Sequence, residues 1–407
     1  MIWLLLACTP DVEPELDVVT WSEDVQPVVA EQCGRCHKDG GLSTFSLETY
    51  AQASPIAGVM AESVADRRMP PFLADNSGSC QTYQHALWLS AEEQQLFADW
   101  VAHGVLEGPE LEPAPVVTSE GLADPTAVLS SAAPYTPDHS EGDDWRCFVV
   151  QANPSDETQY LQAYEVIPER PERVHHVTLF KPFDSQAAEQ ARSMDSGTGY
   201  TCFGDAGVPA ALMGVWSPGR RLYNYPEGTG VPVQAGLPLI MQVHYVPDQA
   251  TGIGSTTAIA VKMVEQVDRE LYPLWLLNDD FRLEGEQSEE LDSQSGSIRE
   301  ALDEFGLSSV QGDLEILGTG GHMHLLGSAI RAEIAHKDGE KSCLLDIPRW
   351  DYDWHDVFLL EQPIKAHSDD RIELDCAWDT TGVPGPIFWG DAVEEEMCVL
   401  LVLASPA

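Results

Sequence analysis

The sequence predicts a multidomain fold: a small all-α N-terminal domain followed by two all-β sandwich domains of jelly-roll type. Three observations carry this expectation. Apolar residues recur at helical spacing between about residues 19 and 106, prolines with neither period fill 107–142, and short β-rich segments bounded by Gly, Pro or Asp occupy the remainder. At 407 residues the chain is also too long for one ordinary core.

In chain order, Ser22-Glu23-Asp24 offers a helix cap, and Val25, Val28 and Val29 give the apolar face behind it. Ser90-Ala-Glu-Glu93 reads as a capping box ahead of Leu96, Phe97, Trp100 and Val101, with Gly104 as terminator. Pro109, Pro113, Pro115, Pro125, Pro134 and Pro137 mark an extended linker in which residues 126–129 are a candidate strand. The clearest strands beyond it lie at 147–151, 176–180, 239–245, 330–334, 371–376 and 397–403. A polar insert at about 285–300 and a short helix from Ile298 to Phe305 separate two halves, so the sandwiches are expected at 143–272 and 273–407.

The balance of 67 acidic against 21 basic residues, a formal net charge of -46, repels phosphates and argues against nucleic acid as a partner. Residues 1–18 are expected to form a signal and tether. Leu-Leu-Ala-Cys8 resembles the end of a bacterial lipoprotein signal, which implies a lipid on Cys8, although the apolar run is short and lacks a basic residue before it. No later segment approaches the roughly 20 apolar residues of a spanning helix, so membrane attachment is expected through the N-terminal lipid alone. Setting aside Cys8, Cys33 and Cys36 leaves six cysteines, an even number suited to disulfides in an exported, periplasmic or outer-membrane-anchored protein.

Cys33-Gly-Arg-Cys36-His37 has the spacing for covalent attachment of c-type haem, with two thioethers and His37 as proximal ligand. A zinc half-site or reactive dithiol is the plainer alternative, but no second CxxC accompanies it. Met69, held in Arg67-Arg-Met-Pro-Pro-Phe72, is the candidate distal ligand, with Met60 as its competitor. The block from Trp21 through Met69 to Gly104 resembles class I cytochrome c domains, which implies an all-α cytochrome c domain over 19–106.

A second constellation lies downstream. His322 and His324, two apart on a strand, share a side and can grip one ion. Adjacent His175 and His176 would point to opposite faces of a regular strand, so joint ligation needs a bulge or a bond through the other ring nitrogen. Two imidazoles with a thioether sulfur lean towards copper, whose cuprous state soft sulfur stabilises.

Val174-His175-His176-Val-Thr-Leu-Phe180, Gln242-Val-His244-Tyr245, Gly321-His322-Met-His324-Leu-Leu-Gly327 and Glu396-Met397-Cys398 resemble copper type II, ascorbate-dependent monooxygenases. The resemblance runs from about Asp143 to Leu403 and implies two copper ions facing each other across an open cleft. His175, His176 and His244 would hold the electron-transfer copper; His322, His324 and Met397 would hold the catalytic one. It further implies a Cys376–Cys398 bridge, while the pairing of Cys80, Cys147, Cys202 and Cys343 stays open. Peptidylglycine enzymes of the family carry an arginine two residues before the first His of the HxH pair and a tyrosine four residues after the Met. This chain has Gly320 and Leu401 there, so peptide amidation is not expected.

The resulting expectation is a copper monooxygenase hydroxylating a small organic substrate with dioxygen. Its electrons would come from an external reductant or donor protein and pass through the tethered haem. The competing reading is a non-catalytic copper and haem electron-transfer lipoprotein. A zinc hydrolase built on His175, His176 and His244 would leave Met397 and the haem motif unexplained. Trp350-Asp-Tyr-Asp-Trp354-His355 reads as an aromatic core turn, and His85, His103, His139, His336 and His367 receive no role.

Overall fold

The structure is a computed structural model that describes residues 18–407 except 42, 117–120, 139–143, 204, 217–221, 247–252, 355 and 391–394. Cys8, His139 and His355 therefore lie outside the described residues, as does the expected signal. The chain divides into two compact units, the first formed by residues up to Pro70 together with Leu89–Val117, the second by Pro71–Trp88 and Thr118–Ala407.

The first unit is built from short helical segments: a continuous stretch over 21–33, then Tyr50–Ala53, Ala57–Ala65 and Ala91–Ala102. Ser90 and Glu93 cap the last of these by exchanging two hydrogen bonds, Glu93 N to Ser90 Oγ at 3.1 Å and Ser90 N to Glu93 Oε2 at 2.7 Å. Trp21, Val25, Val29, Met60, Phe97 and Trp100 form its small core.

An all-α cytochrome c domain over 19–106 is not present, and this corrects the expected fold class. The chain is mostly β, and its longest described α-helix has 12 residues. The segment that such a domain would fold around its haem goes elsewhere. Pro71–Trp88 belongs to the β unit, where Leu73, Ala74 and Tyr83 are buried in the core of the C-terminal half. A Cys80–Cys343 disulfide closes the attachment across a sequence separation of 263. Leu73, Ala74 and Tyr83 are thereby spent on a β-sandwich, while Val25, Val29, Phe97 and Trp100 stay in the core of the first unit.

The N-terminal half of the β unit contains β1 (Ala127–Ser130), β2 (Asp144–Val150), β3 (Gln159–Pro168), β4 (Val174–Pro182), β5 (Tyr200–Thr201), β6 (Ala210–Trp216), β7 (Leu222–Asn224), β8 (Thr229–Val233), β9 (Leu239–Tyr245), β10 (Thr257–Val264) and β11 (Arg269–Glu270). One sheet runs β5-β2-β9-β4-β6 and the other β1-β10-β3-β8-β11, with β7 beside β3. Both contribute to one apolar core that includes Leu161, Tyr164, Met213, Met241 and Val243.

The C-terminal half contains β12 (Tyr272–Leu277), β13 (Arg282–Gly285), β14 (Glu290–Ser297), β15 (Asp313–His322), β16 (Gly327–Ala335), β17 (Lys341–Ile347), β18 (Phe358–His367), β19 (Arg371–Trp378), β20 (Pro384–Phe388) and β21 (Val399–Pro406). Its sheets run β12-β21-β15-β18 and β14-β19-β16-β17, with a β13-β20 pair. The stretch expected as a polar insert is in fact β14, an edge strand paired with β19 from Glu290↔Trp378 to Ser297↔Arg371. Its alternate residues are exposed, so it needs few apolar side chains.

β21 explains how the halves join. Leu400, Val402 and Ala404 face the C-terminal core, whereas Leu401 and Leu403 belong to the core of the N-terminal half. A strand buried on both faces reads as an unbroken apolar run rather than an alternating one. Here the run Val399-Leu-Leu-Val-Leu403 is that strand.

Candidate active site

His176 lies in β4 directly opposite His244 in β9, and Trp145 in β2 lies opposite His244 on the other side. The β4–β9 register shifts between Val174 and His176, so His175 occupies an irregularity in the strand. That extra residue lets two adjacent histidines turn to one side. The candidate ligand atoms of His175, His176 and His244 all lie within 4.8 Å of one another, and the two Nδ1 atoms of His175 and His176 are 3.1 Å apart. Nitrogens sharing a tetrahedral ion at ordinary bond lengths stand about 3.3 Å apart, so this donor set fits a copper or zinc ion.

Two neighbours orient the cluster. Trp145 stacks on the His244 ring at 3.8 Å between centroids and 8° between planes. Asp353 Oδ1, from the C-terminal half, lies 3.0 Å from His175 Nε2. When Nε2–H donates to that carboxylate, Nδ1 is left as the lone-pair nitrogen facing the other two rings. Tyr352 lies parallel to His175, 6.2 Å away, and its ring is 6.3 Å from that of His324. The turn expected to be core is thus divided: Trp350 is buried, while Tyr352 and Asp353 stand beside the histidines.

His322 closes β15 and His324 follows it, with ring centroids 5.5 Å apart. Met323 between them is fully buried in the opposite direction, in the C-terminal core. His324 Nδ1 lies 2.9 Å from the Glu395 carbonyl, an acceptor for its N–H that leaves Nε2 as the ligand nitrogen. Met397 precedes β21, and Cys398 beside it is bonded to Cys376. His322, His324 and Met397 line one cavity, and that cavity also contains His176 of the other cluster.

Sequence reasoning missed the role of Glu396. Its carboxylate, wholly buried, accepts hydrogen bonds from His324 N, Leu326 N, Trp378 Nε1 and Met397 N. It therefore ties the HxH strand end to the segment bearing the thioether. Burial pushes its carboxyl up to about 7, against the pull of those four donors. A Glu directly before the candidate Met was the available signal.

The other cysteines pair as Cys147–Cys202 and Cys80–Cys343. The first, with the bond from Gln242 Nε2 to Asp205 O at 2.7 Å, holds Cys202 and Asp205 against β2 and β9, where Phe203 and Asp205–Val208 form a wall of the cavity. In the first unit Cys33 and Cys36 are free thiols, and burial raises Cys33 above the ordinary thiol range. A thiol so held is not an activated nucleophile. His37 packs on Phe45 at 4.5 Å; Met60 is a core residue, and Met69 is an exposed side chain at 37%.

Residues 299–404 match the family model for the C-terminal domain of copper type II ascorbate-dependent monooxygenases, a span that includes His322, His324, Met397 and both cysteines of the 376–398 bridge. This supports copper-dependent monooxygenase chemistry in general. No curated protein matches the chain in sequence. Among solved structures, the VP2 subviral particle of infectious bursal disease virus is similar at 10% identity, covering 71% of this chain and 73% of that one, with a TM-score of 0.20. The major capsid protein P2 of bacteriophage PM2 is similar at 11% identity over 69% of this chain and 97% of that one, with a TM-score of 0.23. Similarity of this order establishes no common fold.

Proposed function

We propose that the protein is a monooxygenase that holds two copper ions and hydroxylates a C–H bond of a small organic substrate with dioxygen. The observation that carries this is one cavity lined by His176 from the N-terminal half and by His322, His324 and Met397 from the C-terminal half. His175, His176 and His244 would hold one ion and His322, His324 and Met397 the other. Bound copper would supply one-electron redox chemistry and dioxygen activation at the sulfur-containing site.

The chain's own residues prepare that chemistry. Asp353 and the Glu395 carbonyl fix the tautomers of His175 and His324. Glu396 holds the HxH end and Met397 in one frame. Apolar side chains such as Phe180, Leu212, Trp275 and Leu401 line the chamber and would receive the hydrocarbon part of a substrate. The overall balance is substrate C–H, dioxygen, two electrons and two protons giving the alcohol and water. The electrons come from an external reductant or donor protein.

The finer element of the proposal is a haem on Cys33, Cys36 and His37 that passes those electrons on. It is supported by the CxxCH spacing and by the state of the cysteines. The other six described are paired, and these two are free. Three disulfides likewise support export to an oxidising compartment.

Oxygen uptake and product analysis with isotopic dioxygen test the function. The expected result is substrate-dependent uptake with one labelled oxygen atom in the product. Uptake indifferent to any organic compound would favour the non-catalytic electron-transfer reading. An optical spectrum of protein matured in a haem-attaching host tests the relay, which is lost if no covalent haem is found.

A further inference from the structure

The cavity also carries information about what enters it, and this step rests on the hydroxylase reading above. We propose that the substrate is an uncharged organic molecule with an aromatic or compact hydrocarbon body, and that carboxylate-bearing compounds are excluded. The chamber measures about 570 Å³, within the range of small-molecule sites. Phe180, Phe203 and Leu212 line it from the N-terminal half, and Trp275, Val399 and Leu401 from the C-terminal half. Among its described lining residues there is no Lys or Arg.

The position where peptidylglycine enzymes carry their carboxylate-binding arginine is sterically closed here. A Cβ on Gly320 would stand 2.8 Å from the Asp356 carbonyl oxygen, a backbone atom that no side-chain rotation moves. Leu401, in place of the tyrosine, offers no hydrogen bond. The two carboxylates on the wall, Asp205 and Asp356, each accept from a backbone N–H of their own turn, Gly207 N at 2.6 Å and Val357 N at 2.7 Å. A substrate carboxylate would shed its water and meet no Lys or Arg among the described lining residues, whereas a neutral apolar body gains from the aromatic and aliphatic side chains of both halves.

Three probes of equal body separate the alternatives: 3-phenylpropan-1-ol, 3-phenylpropanoate and 3-phenylpropan-1-amine. Each is titrated into the full-length protein, with and without copper, by calorimetry. The alcohol is expected to bind at least tenfold more tightly than the carboxylate and more tightly than the amine. Leu401→Arg, with Phe203→Arg as a second variant on the facing wall should the first not fold, is expected to reverse the order of alcohol and carboxylate. Equal or tighter binding of the carboxylate by the unaltered protein, tightest binding of the amine, no binding of any probe, or folded Arg variants that keep the original order would each overturn the proposal. Binding is read without turnover, so selective binding with no hydroxylated product would refute the hydroxylase reading and leave the ligand class of the cavity standing.

Discussion

Asp353 reaches His175 from the other half of the β unit, 3.0 Å from Nε2, and under the two-copper proposal it would accept the Nε2–H and leave Nδ1 as the ligand nitrogen. Asp353→Ala is expected to weaken copper binding at the His175, His176 and His244 cluster by about 10–100-fold. Asp353→Asn, which keeps an oxygen acceptor, should recover most of the loss; titration against a competing chelator measures both. Lys181 gives a separate test by pH. Burial pushes its ammonium down to about 8, partly opposed by Glu270, while Nζ donates to Pro232 O at 2.9 Å. The unfolded chain holds this proton up to about 10.4, so between the two values the unfolded state binds more protons and stability rises with pH. Below the folded value the cost of charging Lys181 is present in full, on the order of 2 kcal/mol once partial exposure is allowed for. Lys181→Met should therefore flatten the stability profile between about pH 8 and 10. Denaturant unfolding at both ends of that window checks it, and an unchanged slope would refute the assignment.

Among the elements, the strap over 71–88 depends most on one covalent bond. Tyr83 is buried at 1% exposure, and Cys80–Cys343 ties residues 263 apart in sequence. Replacing both cysteines by serine is expected to destabilise the β unit by about 2–5 kcal/mol. It should also open residues 71–88 to proteolysis while far-ultraviolet circular dichroism stays the same. Retained stability would mean that the strap is held by its apolar contacts alone. β14 teaches the complementary lesson. Its run Glu290-Leu-Asp-Ser-Gln-Ser-Gly-Ser297 has little strand propensity, and pairing with β19 makes it a strand all the same. The capping box at Ser90, by contrast, depends on residues three apart and was readable directly.

For the whole molecule, the net charge of -46 is the dominant long-range term. Self-repulsion disfavours the compact state, and its range contracts from about 30 Å at 0.01 M salt to about 3 Å at 1 M. The melting temperature is therefore expected to rise with sodium chloride over that interval; a flat or falling trend in a thermal scan would show that local pairing outweighs the global field.

Part of the candidate site was legible in close spacings, His175-His176 and His322-x-His324, while His244 and Met397 entered through the resemblance of their segments to a copper family. Strand-rich character after residue 143 was legible for the same reason, since alternation and apolar runs are local. The placement of these pieces was not. Whether His176 and Met397 line one cavity, whether Asp353 meets His175 across 178 residues, and whether 71–88 closes on helices or on a sheet are settled by which faces pack together. Phe72, Leu73 and Tyr83 are equally apolar in either setting, so their pattern carries no address. Leu73 and Tyr83 are buried in the core of the C-terminal half and Phe72 packs against it, because apolar burial is non-directional and only tertiary packing selects the partner.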